Sequence, residues 1–311
     1  MGTKVFKFPT VHRPAKLHEH EESVELFGSK WIVGEKALTH KRSCYYLRDV
    51  DELVEYYPLY LLEVKRRIGD FPKSAISLPL DVYVQEKVKR EGGRENLIDA
   101  LKRNCKVNAE VEVEVVPQGI AGLQHLIEEG KVEAIPTLLI DGGFNTVNVA
   151  VVNEELGVDF YKTFTDEIGV RNLIENYFAE ELKLRFSGLT TNLVVLKEVF
   201  LKEKLDDGLV VYDIKPEKEK ALEKFLPEMF RKVSKEMKRA GVEYRQVVII
   251  GGLSYYLKAE DFETNKKIFV PERDGEFLNV LGLLDFVPDA RVAVDLGFGD
   301  CKVAVRGMAD E

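Results

Sequence analysis

Two segments of this chain share one pattern, and that pattern constrains the fold more than any other feature of it. Residues 137–151 read TLLIDGGFNTVNVAV, and residues 291–305 read RVAVDLGFGDCKVAV. Aligned on Asp141 and Asp295, both run Asp-x-Gly-Phe, then four residues, then Val-Ala-Val. Each is an apolar strand ending in Asp, a glycine-containing turn and a second apolar strand. Taken alone, either hairpin reads as an ordinary tight turn. Two in the same register, about half the chain apart, read as a duplicated phosphate clamp. Glycine lets backbone N–H groups approach an anion closely, and a carboxylate beside the turn can hold hydrated Mg²⁺.

With 311 residues the chain is long enough for two domains with separate cores. Apolar residues make up 45% and charged residues 32%, the balance of a soluble globular protein. A net charge of −9 argues against a general nucleic-acid binder. No apolar run reaches the length of a membrane span, and residues 1–16 lack the apolar core of a signal peptide. Cys44, Cys105 and Cys301 are odd in number and far apart. That pattern fits a reducing cytoplasm and neither a disulfide framework nor a zinc site. The surface is rich in Lys and Glu, a lean towards a heat-adapted source.

Strands and helices alternate throughout. Residues 4–8, 31–33, 75–80, 110–116, 158–163 and 246–250 read as strands beside the two hairpins. Helical spacing covers 51–68, with Asp51 as the cap and Pro58 as a kink. It also covers 118–130, 169–184, 216–241 with a bend at Pro227, and 276–286. HEHEE at 18–22 reads as a polar loop, since nothing completes a metal-ligand set. The stripe at Tyr56–Leu62 reads as core, and EVEVEVV at 110–116 as a strand with a charged face.

Two further motifs matter for chemistry. In VVIIGGLSYYL, residues 247–257, a buried strand opens through Gly251-Gly252, which lets a base or ribose lie against the backbone. In VVPQGIAGL, residues 115–123, Gln118 stands at a strand-to-helix junction, where an amide can orient an attacking water. Each has a plain alternative: a turn for the glycine pair, a surface helix start for the glutamine.

The order of PQGIAG, the Asp141 hairpin, VVIIGGLSYYL and EFLNVLGLL resembles the actin-like ATPases, especially the ParM-type plasmid-segregation actins and their archaeal relatives. LPLDVY at 78–83, followed by a charged helix, resembles the same group, and DLGFGDCK resembles the first phosphate loop of actin. The resemblance implies an α/β, two-domain actin-like fold with a nucleotide in the cleft. Domain I would comprise 1–130 with 276–311, and domain II 131–275, with helices at 118–130 and 276–286 as hinges. In that family the first phosphate hairpin opens the sequence, whereas here it closes it. The resemblance therefore implies a circular permutant, with KVAVRG (302–307) leading back to KVFKF (4–8) as neighbouring strands.

By the same resemblance, Asp295 and Asp141 would flank Mg²⁺ and act with Gln118 in catalysis. Gly297, Gly299 and Lys302 would hold the β- and γ-phosphates, with Gly143, Asn145 and Thr146 opposite. Phe298, Asp300, Cys301, Gly142 and Phe144 complete the two turns. Gly251, Gly252 and Leu253 would border the nucleoside. Two residues depart from the family. Phe298 stands where actin carries a small hydroxyl residue, and Asn148 where relatives carry Asp or His. The implied activity is hydrolysis of Mg-ATP or Mg-GTP coupled to self-association into filaments, with DNA segregation through a DNA-bound adaptor protein. The alternative is a non-polymerising actin-fold adaptor that binds ATP. A sugar kinase of the same superfamily is disfavoured by the short chain and the lack of a catalytic Asp for a sugar hydroxyl.

Overall fold

The computed structural model describes residues 2–91, 96–165, 167–187, 192–262 and 264–307. Two five-stranded sheets carry the architecture, and they repeat one plan. The first runs, in spatial order, Thr3–Pro9, Asp300–Arg306, Val292–Leu296, Lys73–Leu78 and Glu112–Pro117. The second runs Val158–Thr165, Thr146–Val152, Thr137–Gly142, Gln246–Gly251 and Lys267–Phe269. In both, the Asp-bearing strand is central. On one side of it lie two strands joined by successive antiparallel pairings, and on the other two joined by parallel pairings.

The chain order differs between the sheets. In the second, the Asp-bearing strand comes first in sequence. In the first it comes late, after the two parallel strands, and its outer partner is the opening strand Thr3–Pro9. That strand pairs antiparallel with Asp300–Arg306 from Thr3↔Arg306 to Pro9↔Asp300, so strands that open and close the sequence are neighbours.

Each sheet has its own core. Val292, Val294, Val303 and Val305 pack with Leu53, Tyr57 and Val64 of the helix Val50–Ile68. Leu138, Ile140, Val149 and Val151 pack with Phe225, Met229 and Val233 of the helix Lys215–Ala240. The opposite faces meet two short helices, Ile120–Glu128 against the second sheet and Leu278–Phe286 against the first. These helices cross at glycine. A Cβ on Gly282 would lie 1.9 Å from the Ala121 carbonyl oxygen, and one on Gly122 would lie 2.8 Å from Ile250 Cδ1. Backbone contact that close leaves room only for hydrogen.

Some local expectations need correction. The cap of the helix Val50–Ile68 is Asp49, whose carboxylate accepts from the Glu52 N–H at 2.9 Å; Asp51 lies in the first turn. Pro58 lies within this one helix, and the Val54 carbonyl its missing N–H would have engaged accepts from Asn104 Nδ2 at 2.8 Å. Pro227 is likewise carried within one helix, on its exposed face. The helical stretch at 170–185 contains a π segment, Leu173–Phe178. A four-stranded sheet built from Val24–Leu26, Ser29–Val33, Val11–Pro14 and Tyr45–Tyr46 was legible only near Trp31–Val33. The HEHEE stretch lies in a 3₁₀ helix, where Glu19 pairs with Arg13. The charged helix after LPLDVY is Leu80–Glu91, and residues 92–95 of that charged stretch lie outside the described residues.

Candidate functional site

The two hairpin turns come together on one cleft. Each is closed by the same bond at the same aligned position: Gly297 N–H to Asp300 C=O at 3.2 Å, and Gly143 N–H to Thr146 C=O at 2.8 Å. The tips touch, since a Cβ on Gly299 would stand 2.8 Å from Phe144 Cβ. Gln118, Asp141, Asp295, Gly143, Phe144, Asn145, Thr146, Gly251, Gly252, Gly297, Phe298, Gly299, Asp300 and Lys302 all line the cleft. Three expected residues stand behind it. Cys301 is fully buried in the first core, Leu253 is fully buried in the second, and Gly142 packs directly against Leu253. The Cys301 and Leu253 side chains therefore face the two cores.

Asp295 is 5% exposed and held from three sides. The Ser77 hydroxyl donates to Oδ1 at 2.5 Å, and Gln118 Nε2 donates to the same oxygen at 3.0 Å. Lys302 Nζ lies 3.6 Å from Oδ2, because Asp295 and Lys302 are register partners across the hairpin. Burial opposes the charge on Lys302, but Asp295, Asp300, Glu276 and Asp141 around it hold its pKa above the ordinary lysine value. Gln118 itself is fixed by its backbone, since its N–H donates to the Leu78 carbonyl at 2.8 Å where two parallel strands end.

Asp141 has a poorer environment. Its register partner is Asn148, whose Oδ1 accepts from Thr163. Burial, and then the charge of Asp295, push its carboxyl up to about 6, against the opposing pull of Lys302 and a hydrogen bond from Asn148. Gly251 crowds it: φ is +81° there, and a Cβ would sit 2.6 Å from Asp141 Oδ1. No side chain other than hydrogen fits both that backbone and that approach.

Several lining residues carry no signal in the sequence. Lys7 Nζ pairs with both oxygens of Glu276 at 2.7 and 2.8 Å, and Tyr255 OH donates to Glu276 at 3.0 Å. Lys197, on the helix Leu193–Lys202, reaches Gly299 and Asp300. Each is a lone charged or aromatic residue far in sequence from its partner, so no spacing rule marks it.

Two amides on the cleft are only partly satisfied. Asn145 Oδ1 and Asn279 Nδ2 are buried and have no hydrogen-bond partner among the described residues. Each residue is 4% exposed. An acceptor and a donor left open this way cost free energy unless a ligand or water meets them. Among the described residues, no group of three or more His, Cys, Asp or Glu could enclose a metal. Asp141 and Asp295 on one cleft are oxygen donors of the kind Mg²⁺ takes, since that ion keeps most of its waters and needs few protein ligands.

No protein-family model matches the sequence, and no curated protein matches it. Solved structures do. The archaeal actin homologue Ta0583 aligns with a TM-score of 0.70 at 17% identity, covering 91% of this chain and 92% of that one. ParM from a 15-stranded filament of Clostridium botulinum gives 0.62 at 18% identity, covering 90% and 91%. The actin-like protein Alp7A gives 0.58 at 13%, covering 91% and 92%. Ta0583 has also been solved in complex with ADP, and ParM of Bacillus thuringiensis with ATP. At such identities the likeness establishes a shared fold: a two-domain α/β architecture of the actin type.

Proposed function

We propose that this actin-fold chain binds Mg-ATP or Mg-GTP in the cleft between its two sheets, hydrolyses it, and couples nucleotide state to self-association into filaments. The observation that carries the reading is the meeting of two equivalent turns, each with an Asp at its base, on a cleft where the buried Asn145 Oδ1 and Asn279 Nδ2 have no hydrogen-bond partner among the described residues. Neighbours solved with ADP and with ATP, and one solved as a filament, support it by fold.

In this reading Asp295 and Asp141 hold hydrated Mg²⁺, which when bound neutralises charge on the β- and γ-phosphates. The turns 297–299 and 143–145 face the phosphates, with the Gly297 and Gly143 N–H groups closing the turns and the N–H groups that follow them left to meet the anion, and Lys302 keeps Asp295 oriented. Gln118 is anchored through Nε2, which leaves its Oε1 to accept a hydrogen bond from the attacking water. The nucleoside lies against Gly251 and Gly252. Domain I is 1–130 with 276–311 and domain II is 131–275, and the crossing helices are the hinge. Circular permutation is part of the proposal. It is supported by the rotated strand order of the first sheet relative to the second. A DNA-bound adaptor and a cytoplasmic setting follow from the ParM resemblance. Among the described residues no helix is long and apolar enough to cross a membrane.

The test is nucleotide binding, phosphate release and sedimentation, each with ATP, GTP, ADP and no nucleotide. Mg-dependent binding, turnover and nucleotide-dependent pelleting are expected. Binding without sedimentation at any nucleotide would replace the filament reading with the adaptor reading, and no binding would remove both.

A further inference from the structure

Three lysines line the cleft, and they are bound very differently. Lys7 is committed to Glu276 through two bonds of 2.7 and 2.8 Å. Lys302 is enclosed by four carboxylates and serves Asp295 across its own hairpin. Lys197 is loosely held. Its Nζ lies 3.3 Å from the Gly299 carbonyl and 3.4 Å from each Asp300 carboxylate oxygen, long for charge-assisted bonds. It also stands 4.8 Å over the Phe144 ring, so it touches both hairpin tips at once.

Its origin matters as much as its position. The helix Leu193–Lys202 packs through Leu196, Val199 and Phe200 into the second core, yet the Lys197 ammonium reaches the first hairpin. It therefore spans the cleft. Asp300 supplies a second argument. It stands where the other turn has neutral Thr146, so the first turn carries a carboxylate beside the place proposed for phosphate. An anionic ligand would be repelled there unless a cation neutralised that charge, and Lys197 is the cation in contact with it.

We infer that Lys197 is the cation that joins the terminal phosphate of a nucleoside triphosphate across the cleft, exchanging its loose hold on Gly299 and Asp300 for that phosphate and so tightening the helix Leu193–Lys202 against the two hairpin tips. This rests on the nucleotide-binding reading above. A terminal phosphate between the two tips offers Lys197 a stronger partner than the Gly299 carbonyl, while a diphosphate leaves it on Asp300. Lys197 thereby distinguishes triphosphate from diphosphate and carries the difference to the second domain.

Binding of fluorescent ATP and ADP analogues with Mg²⁺ to the full chain tests this. Wild type should prefer triphosphate, and Lys197→Gln should lose about tenfold or more of that preference. Its diphosphate affinity should stay within about twofold. Lys197→Arg should keep the preference. Hydrogen exchange in residues 193–202 should slow with triphosphate in wild type and not in Lys197→Gln. An unchanged triphosphate-to-diphosphate ratio in Lys197→Gln overturns the inference and leaves nucleotide binding standing. An equal loss for both ligands also overturns it, making Lys197 a structural tie. Wild type that binds neither ligand overturns the nucleotide reading and this inference together.

Discussion

The hairpins at 137–152 and 292–306 are close copies in backbone, and their aspartates have opposite surroundings. Both run from a central strand through a turn closed by the same hydrogen bond. The difference lies one position across the ladder, where Asp295 faces Lys302 and Asp141 faces Asn148. Asp295 also receives Ser77 and Gln118, whereas Asp141 is crowded by Gly251 and repelled by Asp295. A duplicated scaffold thus holds one carboxylate that the protein supports and one that an added cation would relieve. The same substitution at the two equivalent sites should therefore act with opposite sign.

The largest effect is expected from Asp295→Asn. It removes the partner of the largely buried Lys302, a change that costs about 3–5 kcal/mol for a buried pair. The lower end applies, because Asp300, Glu276 and Asp141 still surround the ammonium. Urea denaturation of the nucleotide-free chain reads this loss, and nucleotide binding should fall with it. A stability unchanged within 0.5 kcal/mol, about the spread of ordinary surface substitutions, would break the comparison at its stronger half.

Asp141→Asn should stabilise the same nucleotide-free chain. The folded carboxyl titrates at about 6, above its ordinary value of 3.8. A raised folded pKa favours the fold while the group is protonated, and that contribution is lost as pH rises from about 4 through about 6. Above pH 6 the wild type buries a charge that the amide does not. The variant should then be more stable by on the order of 1–3 kcal/mol, with the gain shrinking as pH falls towards 4. Mg-dependent nucleotide binding should weaken at the same time. Denaturation at pH 4.5 and pH 8 checks the sign; a gain independent of pH would trace to packing and not to ionisation.

The sequence made half of this contrast legible. Aligning Asp141 with Asp295 marked both turns, and it set Asn148 against Lys302 because strand registers follow from the hairpin length. Gln118 and Gly251-Gly252 were legible as strand ends entering a turn or helix. What escaped was whatever depended on chain-distant meetings. Ser77 lies within a strand read only as buried, and it reaches Asp295 because two parallel strands align. Lys197 and Glu276 look like ordinary surface charges in sequence. Asn104, which takes the carbonyl freed by Pro58, reaches it from another helix altogether. The short strands at 11–46, apart from the one at Ser29–Val33, escaped for a different reason, since runs of two to four residues carry too few alternations to show a period.

The smallest expected effect isolates the cross-strand partner. Asn148→Lys places an ammonium opposite Asp141 in the same register that Lys302 holds opposite Asp295. The site is tight, with Asn148 only 4% exposed and its Oδ1 accepting from Thr163 at 2.8 Å. Losing that hydrogen bond costs about 1 kcal/mol, and the new ion pair offsets part of it, so net stability should change little. The carboxyl itself should respond clearly, because an opposite charge within a few ångströms favours the ionised form. Carbon NMR titration of Asp141 should show its midpoint falling from about 6 towards the ordinary range. The pH-dependent gain of Asp141→Asn should shrink in the Asn148→Lys background. A midpoint still near 6 would mean that the buried position of Asp141, and not its partner, separates the two carboxylates, and the hairpins would then differ through the elements packed on them.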